Sequence, residues 1–428
     1  MSLAERRGLR LFTLCVMYVA QGIPWGFTAF TLPAILAAKK LDAEVIGGVM
    51  AMTTLPYTFK WAWGFVIDAF PSKRFGRRRP WIIFAQGMMA ATIGVMIVIP
   101  NLVDNVSLLM WLVFVNTMFS SIQDVAVDAL AVDLLDEKER GRTNGMMYAS
   151  KWGGGFLGGW GLSHVSSAFG LRTALIVQTL ALFAIMLVPL LVRERAGTDQ
   201  AASRDPIWQS VPAWWRRTFG DHVWPVLRAA IKNHAVQSAV LGAFVMLVSN
   251  LANAILTAFG TVLYTQQLGW TADDYASLAG GAGLAAGLLG SLAGGFLADF
   301  VGHRLLAALA SILLAGFYLA WSLLESHWGS KQFVYSLFYI EPFLLGVMTV
   351  SLFALCMDIS WTAIAASQFA IYMALANFSS STGFKLAAHM AHWFTNPGVY
   401  QAAAVIQASL VLILPFIDPR AARRTAAT

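Results

Sequence analysis

Charged residues and cysteine are both scarce in this chain. Only 12% of its 428 residues are charged, whereas an average soluble protein has about 25%. Its two cysteines, Cys15 and Cys356, both lie within apolar stretches. They give no basis for a disulfide framework or a metal site, and no cofactor is predicted. The composition argues against a soluble globular domain and against a disulfide-stabilised secreted protein.

Long apolar runs dominate the sequence instead. Hydrophobic residues make up 58% of the chain and the mean hydropathy is +0.65. Runs of about 20 apolar residues, the length that crosses a bilayer, recur throughout. We predict an all-α polytopic membrane protein with twelve transmembrane helices, the first of which is long enough to make a cleaved signal peptide unnecessary. The predicted spans are 11–36, 44–68, 80–99, 107–132, 145–168, 172–192, 234–262, 274–298, 304–324, 333–356, 361–391 and 397–416.

The distribution of lysine and arginine gives the predicted topology. Of the 29 such residues, 22 fall in segments that would be cytoplasmic, 4 in outer loops and 3 within spans. This bias follows the positive-inside rule and places both termini in the cytoplasm. A basic face against anionic membrane lipid explains the net charge of +7 without a nucleic-acid partner.

A short loop motif occurs twice, 231 positions apart. The first copy has Gly64 and Asp68 followed by basic residues, and the second has Gly295 and Asp299 followed by Arg304. The glycines would let helices approach closely, and the acidic and basic residues would pair at the bilayer edge. A duplicated helical bundle is typical of secondary transporters. The predicted gating-loop residues are Gly64, Asp68, Arg77, Arg78, Asp133, Arg140, Gly295, Asp299 and Arg304.

A polar stretch divides the spans six and six. We predict an N-terminal bundle over 1–192, a cytoplasmic linker over 193–233 and a C-terminal bundle over 234–428. The linker mixes tryptophan with arginine, which suits either a helix on the membrane surface or a partly ordered connection. Glycine-rich spans five and eight would meet across the two bundles as a sliding surface, or would pack tightly within one bundle.

Ionisable residues within the spans are the main functional candidates, because a charge near the bilayer centre costs about 2.5–3.5 kcal/mol. Asp124 and Asp128 lie one helical turn apart, and two carboxylates so close cannot both ionise cheaply. The group therefore suits proton coupling, although buried acid–base pairs also stabilise bundles without a role in transport. In the second bundle we expect Glu341 to pair with Lys385. The predicted charge network is Asp124, Asp128, Lys60, Lys151, Glu341 and Lys385.

Neutral polar and aromatic residues within the spans are candidates for substrate contact. Glycine and proline in residues 21–26 are expected to interrupt the first helix and free backbone groups for a solute. Tryptophans could stack on a sugar or an adenine, although many would be interfacial anchors. The predicted substrate-binding residues are Gln21, Trp25, Gln123, Trp152, Asn250, Asn253 and Gln368.

Longer sequence blocks resemble a known family. Glu139-Arg140-Gly141 before span five and the repeated loop resemble the major facilitator superfamily. The blocks 59–61, 75–81, 123–129, 340–343 and 366–370 resemble AmpG-type muropeptide permeases. The Gln123-Asp124 pair is also similar to that of acetyl-coenzyme A transporters. The chain departs from the permeases at Asn253, near which they have an acidic residue, and in lacking a lysine after Asp128.

The resemblance implies a monomeric carrier that imports a bulky polar solute together with protons by alternating access. A muropeptide suits mixed tryptophan, asparagine and lysine, while siderophore import, acetyl-coenzyme A transport and uncoupled diffusion remain open. An enzyme and an ATP-driven pump are disfavoured, because the sequence has no P-loop, His-Glu-x-x-His or Gly-x-Ser-x-Gly motif. A channel is disfavoured by the duplication. In a bacterium, the location would be the inner membrane.

Overall fold

The computed structural model describes residues 3–69, 76, 78–135, 137–194, 234–360 and 365–418, which are helical almost throughout. We number the helical segments in chain order. In the first half, α1 is Arg7–Gly26 continued by Phe27–Thr31 and Leu32–Ala38, α2 is Ala43–Met52, Leu55–Thr58 and Lys60–Ala69, α3 is Arg79–Val98, α4 is Val106–Leu134, α5 is Glu137–Phe156, Leu157–Gly161 and Leu162–Phe169, and α6 is Leu171–Leu191.

The second half has the same succession of long helical segments. Here α7 is His234–Ser249, Leu251–Val262 and Leu263–Gln267, α8 is Ala272–Ser277, Leu278–Gly283 and Leu284–Val301, α9 is His303–Leu323, α10 is Lys331–Asp358, α11 is Ala365–Trp393, and α12 is Asn396–Ile413 with Leu414–Phe416. Residues 195–233, which include nearly all of the predicted linker, lie outside the described residues.

Nine helices in the described ranges are long and apolar enough to cross a membrane by length and composition. The segments α2, α5 and α11 fall outside that group, because α2 is interrupted and the other two are rich in glycine or polar residues. The all-α membrane architecture is therefore confirmed. The count of twelve spans stays a prediction with which the described segments are consistent.

The end of the bundle that holds residues 39–42, 99–105, 268–271 and 324–330 is called the outer end, following the predicted topology. Several helices that start there have side-chain caps. Asn105 accepts a hydrogen bond from the backbone N–H of Leu108, and Thr271 accepts one from that of Asp274. Such caps satisfy backbone donors that a helix start leaves unpaired.

The expected interruption of α1 at residues 21–26 is wrong. The helix continues through Pro24, and its irregular part is a wider π-helical turn over Phe27–Thr31. The backbone N–H of Phe27 bonds to the carbonyls of both Ile23 and Pro24, and the hydroxyl of Thr28 donates to Pro24 O at 2.8 Å. The helix therefore passes Pro24 without a break in its backbone.

The glycines of α1 and α5 instead allow these two helices to touch. A Cβ atom added to Gly22 would meet the carbonyl of Lys151, and one added to Gly26 would meet the backbone of Gly155. In α8, Gly290 and Gly294 pack in the same way against the backbone of α10. Most of the glycine-rich surface therefore serves packing within one half.

The two halves meet at the outer end. A Cβ atom on Gly280 of α8 would lie 2.7 Å from Cα of Gly159 in α5. Nearby, the hydroxyl of Ser163 donates to Asp273 at 2.7 Å. On the opposite side, the Gln266 amide of α7 donates to the carbonyl of Leu41 at 2.9 Å. These contacts close the outer side between the halves, and the glycine contact confirms that α5 and α8 touch across them.

The repeated loops need glycine at one position in each copy. Gly76 has φ +96° and Gly302 has φ +87°, a region that side chains with a Cβ atom avoid. By contrast, among the described residues a Cβ atom on Gly64 would reach only Val125, at 4.0 Å, and one on Gly295 would meet no atom within 4 Å. The close helix approach predicted for Gly64 and Gly295 is therefore wrong.

The chain start is joined to the end of α6. Backbone N–H groups of Leu3 and Ala4 donate to the carbonyls of Arg193 and Glu194 at 2.9 and 3.3 Å. The carboxylate of Glu194 also accepts from the backbone N–H of Arg78 at 3.1 Å. One short segment thus connects the N-terminus, the loop before α3 and the last residues of the first half.

Candidate substrate and proton site

Two lysines converge on one aspartate within the first half. The ammonium of Lys60 lies 3.3 Å from one carboxylate oxygen of Asp124, and that of Lys151 lies 3.8 Å from the other. Their side chains are 18% and 23% exposed, against 6% for Asp124. The cluster joins α2, α4 and α5, and its two lysines remain accessible at the depth of the spans.

Asp128 completes this cluster one turn further along α4. Its carboxylate accepts a short hydrogen bond from the hydroxyl of Tyr18 in α1. With both aspartates ionised, the cluster of Lys60, Lys151, Asp124 and Asp128 is neutral, and protonation of Asp128 leaves a net charge of +1. Opposite charges this close compensate for the cost of burial, which an isolated ion would have to bear alone.

Tyrosines surround the charged groups and were not predicted from the sequence. The ammonium of Lys151 lies 5.2 Å from the ring centre of Tyr57, whose hydroxyl is 2.9 Å from Ser120 Oγ. Tyr148 packs edge-on against Tyr18 with ring centres 5.8 Å apart and is itself exposed. A lone tyrosine in an apolar run was the only signal in the sequence, and it does not distinguish a site residue from an interfacial anchor.

The predicted pair of Glu341 with Lys385 does not form. Glu341 accepts hydrogen bonds from the hydroxyl of Tyr318 at 2.9 Å and from the amide of Asn253 at 3.4 Å. Lys385 is exposed in the outer part of α11. The carboxylate of Glu341 is therefore held by neutral donors from α7 and α9.

Two of the predicted substrate contacts lie inside the first half instead. Gln21 and Gln123 are 0% exposed, and Gln123 donates a short hydrogen bond to Gln86 of α3. Neither amide can reach a solute between the halves without a rearrangement of the bundle. Gln123 and Asp124 are adjacent, so they point about 100° apart around α4, and only Asp124 contacts the lysines.

Trp25 and Trp152 pack against each other. Their ring centres are 5.7 Å apart and the planes are almost perpendicular, at 88°. A Cβ atom on Gly287 of α8 would lie 3.8 Å from Trp152 and 3.5 Å from the carbonyl of Pro342. Trp152, beside Lys151, thus reaches the second half at the level of Pro342, the neighbour of Glu341.

The remaining predicted contacts bond to their own half. The amide of Asn250, at a break in α7, donates to Ala376 O of α11 at 3.3 Å. The amide of Gln368 donates to the hydroxyl of Tyr372 at 2.7 Å. Asn250 therefore connects α7 to α11, and Gln368 forms a bond within α11. The role of both residues as substrate contacts stays a prediction.

The gating residues are only partly described. Arg78 forms an ion pair with Asp133 at 3.0 Å, and Arg304 donates to the carbonyl of Ile417 at 2.9 Å. Arg77 and the side chains of Asp68, Arg140 and Asp299 lie outside the described residues. The described residues contain no group of three or more histidine, cysteine or acidic side chains that could hold a metal ion.

This fold and its central charges are those of a membrane carrier. The model of the Major Facilitator Superfamily matches residues 14–384, and the chain belongs to this family of transporters. It is therefore a transporter and not an enzyme. The anhydromuropeptide permease of Escherichia coli K12 is 24% identical over 416 residues, which cover 94% of this chain and 78% of the permease. A Rickettsia felis protein named "Putative transporter AmpG 4" is 25% identical over 307 residues, which cover 69% of each chain.

Solved transporters have the same fold. The D-xylose–proton symporter superposes with a TM-score of 0.70 at 14% identity, covering 94% of this chain and 97% of its own. A POT peptide transporter in complex with sulfate gives 0.67 at 14% identity, covering 96% and 95%. At such identities the likeness concerns the fold alone.

Proposed function

We propose that the protein imports a bulky polar solute of the anhydromuropeptide class together with protons, by alternating access. The observation that carries this proposal is the cluster of Lys60, Lys151, Asp124 and Asp128, which is partly accessible within the spans. The similarity to an anhydromuropeptide permease over nearly the whole chain supports the solute class. The carrier would work as a monomer and, in a bacterium, in the inner membrane.

Solute recognition would depend on the two lysines. Both ammonium groups share Asp124, and the longer contact, 3.8 Å to Lys151, is the easier one to exchange for a carboxylate of the solute. Trp25 and Trp152 lie beside Lys151 and offer apolar surface to a sugar ring. An anionic sugar–peptide therefore matches the cluster better than a neutral solute would.

Proton coupling would act through Asp128. When a proton neutralises Asp128, the cluster gains a net positive charge and attracts the solute carboxylate. When the solute leaves to the cytoplasm, the uncompensated lysines favour loss of that proton from Asp128. Proton and solute thus bind in mutual support, which is the thermodynamic requirement for co-transport. Closure of the outer side by Gly159 and Gly280 corresponds to the state that releases to the cytoplasm.

The test is uptake of labelled anhydromuropeptide into proteoliposomes, with and without an inward proton gradient, with internal pH recorded at the same time. Uptake that requires the gradient and acidifies the vesicles supports the solute class and the coupling. Equal uptake without the gradient indicates an uncoupled facilitator. No uptake under any gradient rejects the muropeptide, and siderophores and acetyl-coenzyme A are then tested in the same vesicles.

A further inference from the structure

Four buried glutamines lie inside the first half, one on each of α1, α3, α4 and α6. They are Gln21, Gln86, Gln123 and Gln178, and each is 0% or 1% exposed. Uncharged amides are costly in a membrane bundle unless their hydrogen bonds are satisfied. Four such amides buried in one half therefore call for a physical explanation that the charge cluster does not supply.

Contacts place two of these glutamines in one layer of the bundle. The amide nitrogen of Gln123 lies 3.9 Å from Sδ of Met17 and also bonds to Gln86, whose own amide donates to Leu182 O at 3.0 Å. The next turn toward the outer end brings Gln21, four residues after Met17, and Gln178, four residues before Leu182. The same helical faces carry both layers, because residues four apart lie one above the other.

Several of these amide atoms lack a partner. Within the part of the chain that the structure describes, both polar atoms of Gln21 and the side-chain oxygens of Gln123 and Gln178 are buried without a hydrogen bond. Gln178 also lines a cavity beneath the outer end, beside Thr28 and Asn116. The cavity has room for about one water molecule, and Thr28, Asn116 and Gln178 are the polar residues of a lining that is otherwise apolar. A water molecule in it would therefore lie at this polar side.

We propose that water molecules held by Gln21, Gln123 and Gln178 form a proton path through the interior of the first half, from the outer cavity to Asp128. The inference rests on the proposed coupling at Asp128. Leu102 and Leu171, which line the cavity, place it close to the outer end. The path is separate from the solute route, whose outer side is closed by the contact of Gly159 with Gly280.

Tyr18 connects the path to the carboxylate. It lies three residues before Gln21 on α1, and its hydroxyl donates to Asp128. A proton that enters from outside moves along the waters, and it ends on the Asp128 carboxylate when the Tyr18 hydroxyl turns away. The amides orient the waters and do not titrate. The charged and titratable groups around Asp128 are Tyr18 of α1, Lys60 of α2, Asp124 of α4, and Tyr148 and Lys151 of α5.

The experiment replaces single glutamines by methionine, which keeps the length and removes the polar atoms. Gln21→Met and Gln178→Met are reconstituted, and vesicle acidification is recorded together with gradient-driven uptake. Solute exchange at equal pH on both sides is measured in the same vesicles, because it needs a folded carrier but no net proton entry. We expect both variants to lower acidification and driven uptake about tenfold or more while exchange is unchanged.

The matched control is Gln407→Met. Gln407 is 1% exposed on α12 and its side-chain oxygen also lacks a partner in the described residues, but it lies in the half without the aspartate pair. We expect acidification at the wild-type rate.

Three results would overturn the path. The first is wild-type acidification in Gln21→Met and Gln178→Met, and the second is a parallel loss of exchange, which indicates a structural role. The third is an equal defect in Gln407→Met. Asp128→Asn distinguishes this failure from that of the proposed function. If Asp128→Asn abolishes driven uptake while the glutamine variants behave as wild type, only the path is wrong. If Asp128→Asn still accumulates solute, the coupling at Asp128 is wrong as well.

Discussion

The two halves of this transporter repeat one helical plan but differ in how they bury charge. The first half holds two lysines and two aspartates that contact one another or a tyrosine, with both lysines partly accessible. The second half holds Glu341 between Tyr318 and Asn253, with no lysine in its described contacts. A charged group in the first half can exchange one oppositely charged partner for another. A carboxylate held by neutral donors has no such alternative and can only keep or lose its hydrogen bonds.

This difference indicates a division of labour within the duplicated fold. A cluster that is neutral overall can accept a proton or an anion at low cost, because each new charge meets an opposite one already present. Glu341 has no such compensation and fixes α7, α9 and α10 to one another. We therefore expect substitutions in the first half to affect transport and the matching ones in the second half to affect mainly packing.

The largest effect is expected from Asp124→Asn. It leaves Lys60 and Lys151 facing each other without their shared carboxylate, and removal of one partner from a buried ionic group costs about 3–5 kcal/mol. The initial rate of solute uptake should fall by about 100-fold or more. The control is Asp274→Asn, which breaks an exposed pair with Lys331 at 3.3 Å and should change uptake less than about twofold. Equal losses of uptake in both variants would mean that the cluster matters no more for transport than an exposed ion pair.

Lys151→Gln should weaken solute binding without unfolding the carrier. A lost charge-assisted hydrogen bond to the solute corresponds to about a tenfold or greater rise in KM for an anionic solute. A neutral, amidated analogue should show no such rise, and this pair of solutes is the measurement. Lys385→Gln is the matched control, because this lysine is exposed in the second half. A similar KM shift for both solutes would argue against an anion at Lys151.

Gly280→Ala tests the contact at which the two halves meet. The added Cβ atom would lie 2.7 Å from Gly159, so the outer side must separate slightly and the outward-open state is favoured. We expect driven uptake to fall about fivefold, since overpacking costs about 1–3 kcal/mol. Accessibility of an engineered cysteine at the outer end, probed with a membrane-impermeant reagent, should rise in parallel. Gly316→Ala, where a Cβ atom would have no described neighbour within 4 Å, should leave both readouts unchanged.

The smallest effect is expected from Glu341→Gln. Both donors bond to the same carboxylate oxygen, and an amide oxygen there can still accept from Tyr318 and Asn253, so the two hydrogen bonds weaken rather than being lost. Driven uptake should fall by about twofold to threefold, which corresponds to about 0.5 kcal/mol, the lower end of the range for such a bond. The comparison is with Asp128→Asn in the same vesicles. An equally complete loss of gradient-driven uptake in both variants would mean that coupling is shared between the halves.

The general architecture was predictable because it follows from chain length, apolar runs and the distribution of positive charge. The first-half cluster was also accessible to prediction, since four ionisable residues in apolar spans must compensate one another. The rotation of each helix about its own axis, which decides the side chains that point into the bundle, was not predictable. In an apolar run with no clear polar face, the sequence does not tell which of two neighbours, Gln123 or Asp124, points toward the lysines.

Contacts between residues that are distant in the sequence also could not be predicted. The pairing of Glu341 with Tyr318 and Asn253 depends on how α7, α9 and α10 pack, and a simple search for opposite charges suggested Lys385 instead. The same limit applied to α1. Pro24 and its flanking glycines resemble a helix break, but Gly22 and Gly26 are required by the approach of α5, which the local sequence does not reveal.

The contact between the chain start and Glu194 has a consequence for biosynthesis. The backbone bonds from Leu3 and Ala4 to residues 193 and 194 can form as soon as residue 194 has left the ribosome, before any residue of α7 has emerged. The Arg78 N–H that Glu194 accepts is already present at that stage. The first six helices can therefore assemble during translation. The second half would then insert beside a folded first half rather than among unassembled helices.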